Sequence, residues 1–389
     1  MPTYARSDLI FDYGEGTWLV SQDGNRFLDF SSGIAVNALG HSHPHLLKSL
    51  NEQLKKLWHC SNLYTIAGQE RLAKRLTENS FADLAFFCNS GAEAVECAIK
   101  IARRYQQSSM NCDRYRIITA QNAFHGRTLA TIAAGGQKKH LDGFDPVVNG
   151  FDHVPFGDLE CVAEAISDST AAILIEPIQG EGGLDTASID YLEGLRSIAN
   201  DNGLLLIYDE VQSGMGRTGT LFAYQHSNIE PDIMCLAKAL GGGFPIGACL
   251  ASNSAAKSMV AGSHGSTFGG NPLAMAAANA VLDVILDKGF FDRVLGISEY
   301  FHDGLRSLVD NNPDIFESVK GCGLMVGLKC KVNNTQVVTK LIECNLLTVV
   351  AGDNVVRLYP PLTVNKSEID LALDKLDSAA KWFGNARKK

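Results

Sequence analysis

The sequence predicts an α/β protein with a large domain over residues 45–280, built on a mostly parallel sheet, and a smaller α+β domain formed by residues 1–44 with 281–389. Three observations predict it. Short apolar runs recur at intervals from Leu84 to Ala251, each bounded by Gly, Pro or an acid, as strands covered on both faces do. Helical patterns alternate with them from His45 onward, the mark of a parallel sheet wrapped by helices. After about residue 275 this rhythm gives way to a long helical stretch, a strand pair and a last helix.

Taken in order, "GTWLVSQDG" and "RFLDFSSG" read as N-terminal strands, the first closed by the turn signal Asp23-Gly24. "LAFFCNSGAEAVECAIKIARRY" reads as strand, turn and helix. "RYRIITAQ", "AAILIEP", "GLLLIYDE", "DIMCLAK" and "GACLAS" are the further strands of the large sheet, with "YLEGLRSIANDN" a helix between two of them. "VKGCGLMVGLKC" and "NVVRLYPPL" belong to the smaller domain, and the last helix starts at Lys366. In such sheets ligands gather at the carboxyl ends of the strands.

The totals set bounds. With 389 residues, 46% hydrophobic and 20% charged, the chain can bury a core without disulfide or metal support. A net charge of −9 argues against a nucleic-acid or anionic-membrane surface, and only the terminal "ARKK" is a basic cluster, read as a solvated tail. Ten cysteines without a C-x-x-C pair read as reduced thiols. The N-terminal "MPTYARSDLIFDYGEG" fits neither a signal nor a transit peptide, and no run is long enough to span a membrane. The expectation is a cytoplasmic protein.

Three strand ends carry candidate chemistry. "LLLIYDE" ends in Asp209-Glu210, "IMCLAK" ends in Lys238, and "LAFFCN" runs into Ser90-Gly91-Ala92. Ser90 and Glu93 have capping-box spacing, and the same helix start can offer backbone N–H groups to a phosphate. A carboxylate and an amine at buried strand ends each need a partner. They can form a direct Asp209–Lys238 salt bridge, or they can surround one cofactor. Pyridoxal 5′-phosphate needs an amine for its aldehyde, a carboxylate at its ring nitrogen and a phosphate cradle.

Six blocks in order, "NSGAEA", "FHGRT", "EPIQGEGG", "DEVQSGMGRTG", "LAKALGGGFPIGA" and "GSTFGGNPLA", make the chain resemble the class III (ornithine-type) pyridoxal-phosphate aminotransferases over nearly its whole length. The resemblance implies the aspartate-aminotransferase-like fold, type I of the pyridoxal-phosphate enzymes. It implies Lys238 as the Schiff-base lysine, Asp209 at the pyridine nitrogen, Phe124 on the ring face and Gln212 at the phenolic oxygen. Ser90, Gly91 and Ala92 would bind the phosphate. Thr267 would reach the phosphate of a neighbouring subunit, which implies a homodimer with sites at the interface. Arg127 and Arg357 would bind substrate carboxylates, and Glu181 would cover Arg357 when an ω-amino substrate is present. The implied reaction moves the δ-amino group of N-acetylornithine to 2-oxoglutarate. Val95 stands where many acetylornithine-specific members carry Asn, so ornithine, 4-aminobutyrate, succinylornithine and N-succinyl-diaminopimelate stay open as donors.

Other motifs compete. "GMGRTG" fits G-x-G-x-x-G, but no good helix follows it, so a nicotinamide oxidoreductase is the remote reading. A non-catalytic protein that binds pyridoxal phosphate is another. "HSHPH" (His41, His43 and His45) sits in a Pro-containing turn without Cys or acidic partners and reads as a structural loop rather than a metal site. His125 beside Phe124 reads as a packing or hydrogen-bonding residue near the ring.

Overall fold

A computed structural model describes residues 1–110 and 112–386, so most of the "ARKK" tail lies outside the described residues. Three short strands, β1 (Phe11–Glu15), β2 (Trp18–Ser21) and β3 (Arg26–Asp29), open the chain. The central strands follow: β4 (Leu84–Cys88), β5 (Arg116–Ala120), β6 (Phe151–Val154) and β7 (Thr170–Ile175). A small pair, β8 (Ile178–Gln179) and β9 (Asp185–Thr186), precedes β10 (Leu205–Asp209), β11 (Ile233–Leu236) and β12 (Gly247–Ala251). Toward the C-terminus lie β13 (Phe316–Cys322), β14 (Met325–Cys330), β15 (Leu346–Leu347), β16 (Val349–Val350) and β17 (Val355–Leu358).

The seven-stranded sheet runs β4-β12-β11-β10-β7-β5-β6. Its only antiparallel strand among the described residues is β12, which pairs antiparallel with both β11 and β4. Strands β7, β10 and β11 are buried at every position, which is why their sequences read as unbroken apolar runs. Alternation divides their side chains between two cores. Leu206, Tyr208, Met234 and Leu236 join the core that also holds the helix Ile189–Asn202. Leu205, Ile207, Ile233 and Cys235 join the other, beside the helix Gly91–Arg104. The period of two therefore sends the next residues, Asp209 and Glu210, to opposite faces.

The smaller sheets differ from expectation in two places. Strand β1, with its mostly exposed "FDYGE", carried no apolar pattern to read. The helical stretch after residue 275 is two helices, Pro272–Ile285 and Phe290–Asn311, separated where Gly289 takes a φ of 79°. Strand β15 pairs parallel with β3, so the N-terminal strands meet the C-terminal part of the chain. The antiparallel sheet β13-β14-β17-β16 sets Arg357 in β17 opposite Gly327 and Val349. All ten cysteines are free thiols, five of them buried. No described helix is long and apolar enough to cross a membrane.

Candidate active site

A cavity of about 350 Å³ opens at the carboxyl ends of β4, β10 and β11, where their last residues or the turns after them line it. Ser90, Gly91, Ala92, Phe124, Asp209, Gln212 and Lys238, seven residues predicted from sequence, all border it. Thr267, Arg127, Glu181 and Arg357 do not.

Ser90 caps the helix Gly91–Arg104, its hydroxyl accepting from the Glu93 amide at 3.2 Å, while Glu93 returns a carboxylate to the Asn89 amide. The Ser90 cap is present, but the returning bond reaches Asn89, one residue before the cap, and not Ser90 itself, so the expected capping box is only half formed. The amides of Gly91 and Ala92, first in their helix, have no partner within it and face the cavity. A Cβ on Gly91 would lie 2.7 Å from Val211 Cγ1, so the helix start needs glycine to pack against the loop after β10.

Asp209 is 4% exposed. Its Oδ2 meets His125 Nδ1 at 2.8 Å, and its Oδ1 accepts from the Val211 amide at 3.0 Å. Burial opposes a charged His125, but the hydrogen bond and charge of Asp209, helped by Glu176, outweigh it and raise the imidazole. His125 Nε2 is buried without a partner among the described residues. Glu176, at the end of β7, accepts from the Phe124 amide at 3.0 Å, and burial pushes its carboxyl upward. These buried groups behind Phe124 and Asp209 hold both in place.

Lys238 takes a φ of 45°, a left-handed conformation uncommon outside glycine. Gly242 and Gly243 follow with φ of 56° and 120°, which the three-glycine run permits as the chain turns and brings Gly243 to Ile246 back along the cavity wall. Among the described residues Lys238 makes no hydrogen bond or salt bridge. The direct Asp209–Lys238 ion pair, one of the two readings open from sequence, is not formed. Burial lowers the Lys238 amine, and Arg357 adds to this. Glu181, Asp209 and Glu176 oppose it.

Beside the cavity runs a polar groove of about 980 Å³ that passes Glu181. Arg357, 2% exposed, binds Glu181 through both terminal nitrogens, at 2.5 and 3.1 Å, and also donates to Gly180 O and Val350 O. Burial raises Glu181, but the Arg357 charge and hydrogen bond bring it below its usual range, with lesser help from Lys238 and Gln212. Arg127 is exposed, its guanidinium 5.5 Å from the centre of the Phe124 ring. Thr267 is exposed on a loop held by Asn62, which donates to Ser266 O and Gly269 O.

The competing motifs resolve plainly. "GMGRTG" forms turns followed by the short 3-10 helix Ala223–His226, not a strand-turn-helix. Contrary to the expectation that these histidines lack acidic partners, His41 contacts Asp29 and His45 contacts Asp283, residues distant in sequence; no group of metal-ligating side chains occurs among the described residues. Sequence reasoning missed Glu176 and Tyr359. Glu176 carried the same signal as Asp209, an acid closing an apolar run. Tyr359 carried none: its hydroxyl donates to Gln212 Oε1 at 2.9 Å across 147 positions of sequence.

The donor set of the cavity suits pyridoxal 5′-phosphate: it gathers the helix-start residues Ser90, Gly91 and Ala92, the buried Asp209 carboxylate, the Lys238 amine and the Phe124 ring. That arrangement fits an anionic phosphate, a protonated ring nitrogen, an aldehyde and a flat ring.

Comparison with known proteins agrees. The family model "Aminotransferase class-III" matches residues 3–380. Acetylornithine aminotransferase of Mesorhizobium japonicum is 57% identical over 384 residues, covering 99% of this chain and 96% of that one. The protein of the same description from Agrobacterium fabrum is 55% identical, covering 97% and 95%. Ornithine aminotransferase from Toxoplasma gondii, a structure with partial occupancy of pyridoxal phosphate, superimposes with a TM-score of 0.95 at 30% identity, covering 100% of this chain and 93% of that one. N-acetylornithine aminotransferase from Stenotrophomonas maltophilia gives 0.86 at 35%, covering 98% of each.

Proposed function

The chain belongs to the class-III aminotransferases, and on that premise we propose that it moves the δ-amino group of N-acetylornithine to 2-oxoglutarate, a step of arginine biosynthesis. The products are N-acetylglutamate 5-semialdehyde and glutamate. The observation that carries the reading is the unpaired amine of Lys238 in the same cavity as the His125-backed Asp209. The choice of donor rests on relatives of that name at 55 and 57% identity across nearly the whole chain.

Pyridoxal 5′-phosphate, when bound, supplies an aldehyde that takes up the amino group and a ring that accepts the electrons of the deprotonated carbon. Ser90 with the Gly91 and Ala92 amides would hold its phosphate, and Phe124 would lie against its ring. The Asp209 carboxylate, kept in place by His125 and the Val211 amide, would hold a proton on the ring nitrogen. Lys238 Nζ, pushed by burial toward its neutral form, moves the proton from the donor's amine-bearing carbon. Arg127, beside Phe124, would bind a substrate carboxylate. Glu181 covers Arg357 while the ω-amino donor is bound. When 2-oxoglutarate enters, its carboxylate replaces Glu181, and the guanidinium keeps its bidentate geometry.

On this reading residues 45–280 bind the cofactor, while 1–44 with 281–389 supply Arg357 from a second domain. The side chains Trp58, Leu63, Tyr64 and Phe268 are exposed, the first three on the segment around Asn62 that holds the Thr267 loop. An apolar patch of this kind suits a second copy of the chain, and Thr267 would then reach across to that copy's phosphate. The protein would act as a cytoplasmic homodimer, without nucleic acid or membrane as partner.

A panel of amino donors with 2-oxoglutarate tests the function. N-acetylornithine is expected to give the highest kcat/KM, and a clear preference for free ornithine or 4-aminobutyrate would sink the substrate assignment. Purified protein should also be yellow and bleach on adding the donor.

A further inference from the structure

We propose that Tyr359 is a positioning residue that fixes which end of the Gln212 amide faces the cofactor. The inference rests on the functional reading above and deepens it. An amide presents a donor on one side and an acceptor on the other, so its orientation decides whether a ligand oxygen meets N–H or C=O. Nothing in the amide itself chooses.

Three neighbours choose here. The Tyr359 hydroxyl lies 2.9 Å from Gln212 Oε1. Its ring stacks under Arg357, whose guanidinium carbon is 5.6 Å from the ring centre. The hydroxyl donates to Oε1, and the guanidinium over the ring, which has donors only, cannot compete for that proton. Glu181 is an acceptor whose carboxyl Gln212, after Arg357 and Lys238, helps to keep below its usual range. With Oε1 taken by the Tyr359 hydroxyl, Nε2 is the end left for the cavity that Gln212 lines.

The surroundings hold this geometry rigidly. Tyr359 is fully buried, and its backbone is pinned on both sides: its amide donates to Phe30 O at 2.6 Å, and its carbonyl accepts from Ser32 Oγ at 2.6 Å. Gly180 leaves the space the amide occupies, since a Cβ there would fall 1.7 Å from Gln212 Oε1. Burial also keeps the phenol protonated, so it remains a donor throughout the neutral range. Gln212 therefore always offers N–H to the phenolic oxygen of a bound pyridoxal phosphate. A donor at that oxygen favours its ionised form.

The test reads the bound cofactor's colour rather than turnover alone. Protein loaded with pyridoxal 5′-phosphate is titrated spectroscopically as wild type, Tyr359→Phe, Gln212→Ala and the double variant. Phe keeps the ring under Arg357 and removes only the hydroxyl. The midpoint of the pH-dependent colour change should rise by about one unit in Tyr359→Phe, a tenfold change in the proton equilibrium. In the Gln212→Ala background the same change should move it no further, because no amide remains to orient. In Tyr359→Phe, kcat should fall about tenfold while KM for the donor stays within about twofold, the pattern of a lost transition-state interaction. Should Tyr359→Phe fail to fold, Gln212→Glu serves: it keeps an acceptor for Tyr359 but removes the donor, so the midpoint must rise. An unmoved midpoint in Tyr359→Phe, or an equal shift with and without the Gln212 amide, overturns the assignment while the functional reading stands. Wild-type protein that takes up no colour overturns both.

Discussion

The His125–Asp209 pair and the Arg357–Glu181 pair both border Lys238, yet solvent reaches only one of them. In the first the side chains are 0% and 4% exposed, and the carboxylate is tied a second time by the Val211 amide. In the second, Arg357 is 2% exposed and anchored by two backbone carbonyls, while Glu181 is 27% exposed and opens onto the polar groove. Breaking the first leaves a buried charge without a partner, which is costly. Breaking the second lets Glu181 turn to water and exposes a fixed guanidinium. A site that must treat two substrates differently needs one pair of each kind: a floor that never changes and a mouth that can.

Glu210 sharpens the point, because it is Asp209's neighbour in sequence and equally buried. It faces the other side of the sheet and accepts from the Ala223 and Tyr224 amides at 2.6 and 2.9 Å. Adjacent acids on one strand thus serve chemistry and folding separately.

The largest expected effect lies between the two pairs. Lys238→Ala should cost on the order of 10⁴-fold or more in kcat and abolish the adduct recovered on lysine after reduction. Retained turnover would remove the lysine from the mechanism. At the floor, Asp209→Ala should lower kcat about 10³-fold in both half-reactions. Stopped-flow of each half, with donor alone and with 2-oxoglutarate alone, checks that the loss is symmetric. At the mouth, Arg127→Ala should reduce kcat/KM about 10²-fold in both halves, since both substrates carry a carboxylate to the same rim. A loss confined to one half would assign Arg127 to one substrate only.

The smallest catalytic effect is expected at Glu210, where the readout is stability. Burial, only partly offset by the Ala223 and Tyr224 amides, pushes this carboxyl from 4.5 up to about 7. An acid whose folded pKa is raised binds more protons folded than unfolded, so stability falls as pH rises through that window. Between pH 4.5 and 7 the wild type should lose at most roughly 3 kcal/mol relative to Glu210→Gln. Urea denaturation of both proteins at pH 5 and pH 8 measures it, and parallel pH profiles would show that Glu210 is ionised at no cost.

Much of this was legible in the sequence because the signals are local. An apolar run closed by an acid or a lysine marks a strand end, and strand ends of a parallel sheet are where ligands bind, so Asp209 and Lys238 stood out as candidates, while the choice between a direct ion pair and a shared cofactor came from the family resemblance. The Ser90 cap likewise lies within four residues. The His125–Asp209 contact, 84 positions apart, and the Tyr359–Gln212 contact, 147 apart, depend on which strands become neighbours. Tyr359 also hides well: on a buried strand a tyrosine reads as one more apolar residue, and only its hydroxyl's partner reveals otherwise. Strand β1 escaped because its exposed residues have no buried face to leave a pattern.

The contrast between fixed floor and opening mouth is tested most directly by Arg357→Ala with the two half-reactions measured separately. The 2-oxoglutarate half should lose about 10²- to 10³-fold in kcat/KM, and the N-acetylornithine half should change by less than about fivefold, because Arg357 is covered by Glu181 while the donor is bound. Equal losses in both halves would contradict the account.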